Sequence, residues 1–324
     1  MPQVIINSFW AGLIALVMVI ILGPILIPFL TRLKVGQNIR QDGPESHFAK
    51  AGTPTMGGIM IITAVMVASF LMAGNNVEVL AVVFVMLAFG AIGFYDDYIK
   101  VVLKRSLGLR AREKLGFQLL IGIIFGLLLI FYFNRGSVVT VPFTGNQLDL
   151  AYLYIPFLIL VLMGTSNAVN LTDGLDGLAS GVTFFVAIAF AIISIMTKNY
   201  QLVIFCMALA GACIGFLFFN HFPAKVFMGD TGSMALGGAI AAVAALTKME
   251  LVLVIVGGVY VMEALSVIIQ VAFFQLTGKR IFLMSPIHHH FELKGWPETK
   301  VVRFFWLLSL VFVLLGLLSL KGIG

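Results

Sequence analysis

Charged residues are scarce in this sequence. Asp, Glu, Lys and Arg together make up 10% of 324 residues, where a soluble domain carries about 25%. That excludes an ordinary water-soluble globule and a polar disordered chain alike. Cysteine is scarcer still: Cys206 and Cys213 are the two present, both inside one apolar run. They read as small buried hydrophobes, and nothing points to a disulfide framework. No basic stretch precedes the first apolar run, which is also too long for a signal-peptide core, so no cleaved secretory signal is expected. Low-complexity tracts, polar linkers and internal repeats are missing too. One integral membrane domain over 1–324 is expected.

What fills the sequence is apolar. Hydrophobic residues make up 61%, in runs long enough for membrane helices rather than barrel strands. Ten spans are expected, at roughly 8–30, 57–73, 79–95, 116–133, 152–171, 178–197, 201–219, 233–247, 251–276 and 303–320. Sixteen of the twenty Lys and Arg follow spans 1, 3, 5, 7 and 9, and only Arg135, Lys198, Lys248 and Lys321 lie opposite. The positive-inside rule assigns the basic side to the cytoplasm. The expectation is an all-α polytopic membrane protein with about ten transmembrane helices, both termini outside and an active site on the cytoplasmic face. A net charge of +6 would suit nucleic acid, but its placement in membrane-edge loops makes the lipid bilayer the expected partner instead. Outside, the segment at about 134–151 reads as a small hairpin through Val-Val-Thr-Val-Pro-Phe.

Against this apolar background the polar clusters stand out. Asn167, Asn170, Asp173 and Asp176 recur every three positions, although a carboxylate in hydrocarbon costs ~2.5–3.5 kcal/mol. A step of three drifts by about 60° per repeat on an α-helix, so the four turn through half a circle and cannot share one face. The helix is expected to end near Gly174, with Asp173 and Asp176 at a membrane edge reachable from water. Their oxygens suit Mg²⁺, while the two amides alone could serve as interhelical glue.

Further clusters lie at the same edge. Asp96 and Asp97 close the third span, and adjacent carboxylates need a cation or a shared proton to offset their repulsion. The plainer reading pairs them with Lys100 or Lys104. Asn220, His221 and Lys225 precede Asp230, which either caps a helix or stands where a helix N-terminus attracts phosphate. Phe227 beside them can stack on a base. In an extended chain His288 and His290 would share a side and His289 would face away; a phosphate contact and a zinc site both stay open. Glu263 and Gln270, seven apart, fall near one face of the ninth span, paired structurally or lining a groove. Lys50 leads a Gly- and Pro-containing helix start, Gly52-Thr-Pro-Thr-Met-Gly-Gly58. Carboxylates, lysines and histidines on one membrane face are what phosphoryl-type transfer needs, where a metal and cations neutralise developing charge. A cation-coupled transporter would instead place its acids near mid-membrane at broken helices.

Four motifs in order now carry a resemblance: Asp-Asp-Tyr at 96–98, Asn-Leu-Thr-Asp-Gly-Leu-Asp-Gly-Leu at 170–178, Pro-Ala-Lys-Val-Phe-Met-Gly-Asp-Thr-Gly-Ser at 223–233 and Pro-Ile-His-His-His-Phe-Glu at 286–292. With Arg40-Gln-Asp-Gly-Pro44, the sequence resembles the bacterial phospho-N-acetylmuramoyl-pentapeptide transferases of the polyprenyl-phosphate N-acetylhexosamine-1-phosphate transferase superfamily over essentially its whole length. The resemblance implies transfer of phospho-MurNAc-pentapeptide from its UDP carrier to undecaprenyl phosphate, giving lipid I and UMP. It implies Mg²⁺ as cofactor, a homodimer and a multi-pass place in the bacterial plasma membrane. By motif position it makes Asp230 the Mg²⁺ ligand, and puts Asp96 and Asp97 beside it, one as base. It puts Asn170, Leu171, Asp173, Gly174 and Asp176 in a nucleotide pocket with Phe227 on the uracil. His288, His289 and His290 fall near the diphosphate or sugar, His289 counted with the catalytic residues. Lys50, Lys100 and Lys114 become phosphate contacts, and Asn220 and Gln270 further substrate contacts. A sibling that transfers GlcNAc-1-phosphate would share the aspartates, and the His run discriminates against it.

Overall fold

The apolar runs become twelve helices in the computed structural model, which describes residues 2–32, 50, 52–105 and 108–320. They are α1 (Pro2–Arg32), α2 (Gly58–Ala73), α3 (Val77–Val101), α4 (Ala111–Leu127), α5 (Tyr154–Thr172) and α6 (Leu178–Met196). There follow α7 (Tyr200–Asn220), α8 (Gly229–Thr247), α9 (Glu250–Val256), α10 (Gly258–Thr277), α11 (Ile287–Leu293) and α12 (Glu298–Leu318). Among the described residues nine helices are long and apolar enough to cross a membrane, and α2 is a shorter apolar one. This is an all-α polytopic membrane protein. The Arg40–Pro44 stretch lies outside the described residues.

The centre is α8. Every residue from Thr231 to Thr247 is buried, because glycine, alanine and serine dominate the stretch and let neighbouring backbones come close. A Cβ on Gly232 would lie 2.7 Å from the Cα of Gly58 in α2, and one on Gly93 in α3 would collide with the carbonyl of Asp230. Helices α2, α3 and α5 therefore pack against α8 at backbone distance, and its N-terminus is fixed among their ends. Farther out, α1, α10 and α12 turn large apolar side chains outward, among them Phe9, Ile25, Leu276 and Leu307, as lipid-facing helices do.

Two expectations are corrected. The span at 251–276 is not one helix: it breaks at Gly257 into α9 and α10, at a pair of adjacent glycines, where kinks concentrate. The region after Pro286 is not extended. It is the short helix α11, with Pro286 as its N-cap.

The expected hairpin exists at the opposite end of the bundle. Val138–Thr140 (β1) pairs antiparallel with Gln147–Asp149 (β2). A polar network ties it down: Lys248 donates to Gly136 O at 2.8 Å, Arg135 binds Glu78 and Asn199, and Tyr154 donates to the buried Glu250 at 2.8 Å. Arg135, Lys198 and Lys248 thus sit at one end, and Lys50, Lys100 and Lys114 at the other.

Candidate functional site

The site grows from the N-terminus of α8. Asp97, on the last turns of α3, takes the Asp230 N–H on Oδ1 at 3.2 Å, and on Oδ2 the Thr231 N–H at 2.9 Å and hydroxyl at 2.7 Å. It supplies the acceptors that the first turn of α8 lacks. Asp96, one residue earlier and about 100° round the helix, meets the side chain of Asp230 rather than its backbone. It pairs with Lys100 at 2.5 Å and accepts the Leu109 N–H at 2.7 Å. Both aspartates are buried. The loop after α3 returns through Leu109 into α4 and brings Lys114 to the same place.

Asp230 is the meeting point. Its Oδ2 lies 3.1 Å from Lys100 Nζ and 2.9 Å from Lys114 Nζ, and its Oδ1 accepts from Asn170 Nδ2 at 2.8 Å. Three chain regions converge on one carboxylate. Asn170 also donates to Ser233 at 2.9 Å, which fixes its amide orientation.

The three-residue repeat fans out as the helix geometry demands. Asn167 turns away and donates to Gln118 of α4 at 2.9 Å, so it is the interhelical glue. Asn170 faces Asp230. Helix α5 ends at Thr172 and Asp173 is its C-cap, one residue before Gly174. Burial holds the Asp173 carboxyl well above the usual carboxylate range, and the charges of Asp230, Asp97 and Asp176 push the same way. Asp176 is buried, pairs with Lys50 at 2.7 Å and accepts the Ala224 N–H at 2.9 Å. Leu171 is half-buried beside them.

Lys50 is held twice. Its ammonium lies 2.6 Å from Glu298 Oε1 as well as 2.7 Å from Asp176, and 6.0 Å from the ring centroids of both Phe222 and Phe227. Backbone bonds lock this wall together: Phe227 N–H to Pro54 O at 2.8 Å, and Gly57 N–H to Phe227 O at 2.9 Å. Phe227 keeps a half-buried ring at the site. Glu298 is a site residue that the motifs do not reveal. The one available signal is an acid in the first turn of the last apolar helix, which reads as a response to the helix dipole.

Because α11 is helical, its three imidazoles point about 100° apart and find three different partners. His288 is fully buried, with Nδ1 3.1 Å from Glu263 Oε2. A Cβ on Gly174 would collide with its Nε2. Glu263 is thereby placed as well, as the buried acid beside His288. His289 Nδ1 lies 2.7 Å from Glu292 Oε2. His290 accepts the Leu283 N–H at 3.1 Å, and burial followed by the nearby Lys294 charge lowers its pKa. Hence His288 and His290 share no side, contrary to the extended reading, and no three His, Cys, Asp or Glu among the described residues converge to hold an ion.

Two of the expected substrate contacts, Asn220 and Gln270, also hold loops. Asn220 accepts the Gly177 N–H at 3.1 Å and donates to Val226 O at 2.9 Å, joining the loop at 173–177 to the one at 221–228. Gln270 accepts the N–H groups of Ile281 and Phe282 and donates to Phe282 O at 3.2 Å. Both amides are buried and engaged at donor and acceptor ends, because each loop needs partners for its own backbone.

The donor set suits a hard cation of low protein coordination. Mg²⁺ takes one or two carboxylates and completes its shell with phosphate oxygens and water, and Asp230 offers a carboxylate that already gathers two cations, an amide and the neighbouring Asp96 carboxyl. The arrangement can gather phosphate: Lys100 and Lys114 meet at Asp230 on a helix N-terminus, and Lys50 stands at Asp176 on the next loop.

Comparison with known proteins agrees. The model of glycosyl transferase family 4 matches residues 79–248. Signature 1 of phospho-N-acetylmuramoyl-pentapeptide-transferase matches residues 50–62, the segment that carries Lys50. Proteins named phospho-N-acetylmuramoyl-pentapeptide-transferase are similar over most of the chain. One from Desulforamulus reducens is 55% identical over 94% of this chain and 93% of its own length. One from Moorella thermoacetica is 52% identical over 94% and 96%, and one from a Geobacillus species 52% over 95% and 96%. With helices, pocket and sequence in agreement, the chain belongs to the phospho-N-acetylmuramoyl-pentapeptide-transferase family.

Proposed function

We propose that the protein transfers phospho-MurNAc-pentapeptide from UDP-MurNAc-pentapeptide to undecaprenyl phosphate, forming lipid I and UMP for peptidoglycan synthesis. A phosphate oxygen of the carrier lipid becomes bonded to the sugar-bearing phosphorus, and the bond from that phosphorus to UMP breaks. The observation that carries this reading is the convergence of Lys100, Lys114 and Asn170 on Asp230 at the start of a fully buried helix. Lys50, Lys100 and Lys114 bind phosphate oxygens. Asp97 holds the Asp230 backbone and Asn170 its carboxylate. Phe227 offers its ring to the uracil, and Asn170, Leu171, Asp173 and Gly174 form the pocket floor. Asp96, beside Lys100, is placed to take the proton of the lipid phosphate, and His289 and His290 lie toward the sugar. Mg²⁺, held by Asp230 and substrate phosphate oxygens, supplies charge neutralisation when bound.

The pocket faces the cytoplasm of the bacterial plasma membrane in this reading, with both termini outside, supported by the segregation of basic residues. The working unit is a homodimer, as the family resemblance implies.

The test is UMP release by purified protein with polyprenyl phosphate and Mg²⁺. Release is expected from UDP-MurNAc-pentapeptide and not from UDP-GlcNAc, and is abolished by chelation. Equal release from both nucleotide sugars would favour the sibling GlcNAc-1-phosphate transfer and sink the assignment. Asp230→Asn keeps an acceptor for Asn170, so it should fold yet lose turnover by about 10²-fold or more. Retained turnover would reduce Asp230 to a structural part of the helix start.

A further inference from the structure

We propose that Glu298 is a positioning residue that sets the Lys50 ammonium in the nucleotide pocket; the inference rests on the transferase reading above. Lysine is a compact charge on a flexible four-carbon stem, and a single partner would leave it free to swing. Here two carboxylates from different parts of the chain hold it, Glu298 Oε1 at 2.6 Å and Asp176 Oδ1 at 2.7 Å. Their side chains are 8% and 2% exposed, so water competes weakly. An ammonium has three donors. Two are engaged by these acids, and among the described residues one is left for an incoming phosphate oxygen, beside the Phe222 and Phe227 rings.

The same Glu298 oxygen also accepts the Asp176 N–H at 2.8 Å. One atom therefore sets both the lysine and the loop that carries Asp173 and Gly174. Asp176 passes the constraint on by accepting the Ala224 N–H at 2.9 Å. Glu298 is itself placed by the start of α12, where the first turn favours a negative charge. It touches no reacting atom in this arrangement, and it acts through Lys50.

The measurement is UMP release against UDP-MurNAc-pentapeptide concentration for E298Q and E298A, alone and with K50M, in the purified full chain. E298Q keeps its volume and an acceptor for the Asp176 N–H but lacks the charge. It should raise KM for the nucleotide sugar about tenfold with kcat within about twofold. KM for polyprenyl phosphate and the melting temperature should not move. With K50M present the same substitution should add nothing further, because the two residues act as one unit. A plain structural staple would instead lower the melting temperature, shift both KM values and add to K50M. That pattern, or wild-type kinetics in E298Q, overturns the proposal. A second readout needs no turnover: acetylation of Lys50, followed by mass spectrometry, should quicken about fivefold in E298A. Unchanged labelling overturns the positioning role by itself. Absence of UMP release by the wild-type protein would overturn the transferase reading alone.

Discussion

Thr231 delivers both its backbone N–H and its hydroxyl to a single oxygen of Asp97, at 2.9 and 2.7 Å. With the Asp230 N–H on the other oxygen, Asp97 is the acceptor that anchors the start of α8. Asp97→Ala should leave these buried donors without partners and cost about 3 kcal/mol. Asp97→Asn, which keeps an acceptor oxygen, should recover most of that loss. Thermal unfolding in detergent checks it. If Asp97 served only as a proton acceptor, Asp97→Ala would lose turnover and leave the melting temperature where it was.

Asp173 gives a pH-dependent handle. Its carboxyl is held above the ordinary value by burial first and by neighbouring acids second, so the folded state keeps a proton that the unfolded chain gives up. Below the unfolded value, about 4, the group is neutral in both states and stability is unaffected. As pH rises from there toward the folded value, the unfolded state loses its proton first and stability falls. Asp173→Asn removes that dependence. Its melting temperature should match the wild type near pH 4 and exceed it by a margin that widens as the pH rises from there. A margin that shrank with rising pH would contradict the arrangement of acids described above.

Gly174 is required by the imidazole above it. His288 is fully buried, and a methyl group at 174 would fall 2.7 Å from its Cε1. The ring has no open space to enter, so Gly174→Ala should cost about 1–3 kcal/mol, the usual scale of overpacking. In a His288→Ala background, Gly174→Ala should cost almost nothing beyond His288→Ala alone. An undiminished cost in that background would place the strain elsewhere.

Much of this was legible in the residues, and what was not has a physical explanation. The spans could be read because hydrocarbon demands long apolar helices. The fan of Asn167, Asn170, Asp173 and Asp176 could be read because helix geometry is fixed, and Asn167 does leave the group for Gln118. The partners could not. That Asp97 would anchor α8, or that Gly93 would meet the Asp230 carbonyl, depends on which helices are neighbours, and local pattern carries no such information. The His run misled for a related reason: three histidines say nothing about helix or strand, and the choice between them decides which two share a side. Nor could the residues show that Asn220 and Gln270 would also meet the backbone demands of the adjacent loops. Glu298 escaped notice because its partner Lys50 stands 248 positions away.

That distance bears on how the protein is made. Lys50 and its 2.6 Å partner belong to the earliest and latest parts of the described fold, and translation separates them by the synthesis of ten intervening helices. At about 5–20 residues per second, the lysine waits on the order of ten seconds or more before its second acid leaves the ribosome. A nascent chain halted before α12 carries Asp96, Asp97, Asp173 and Asp230 already in the bilayer, yet its lysine has only Asp176 to hold it. Completion of the pocket is therefore an event of late biogenesis, coupled to insertion of α12.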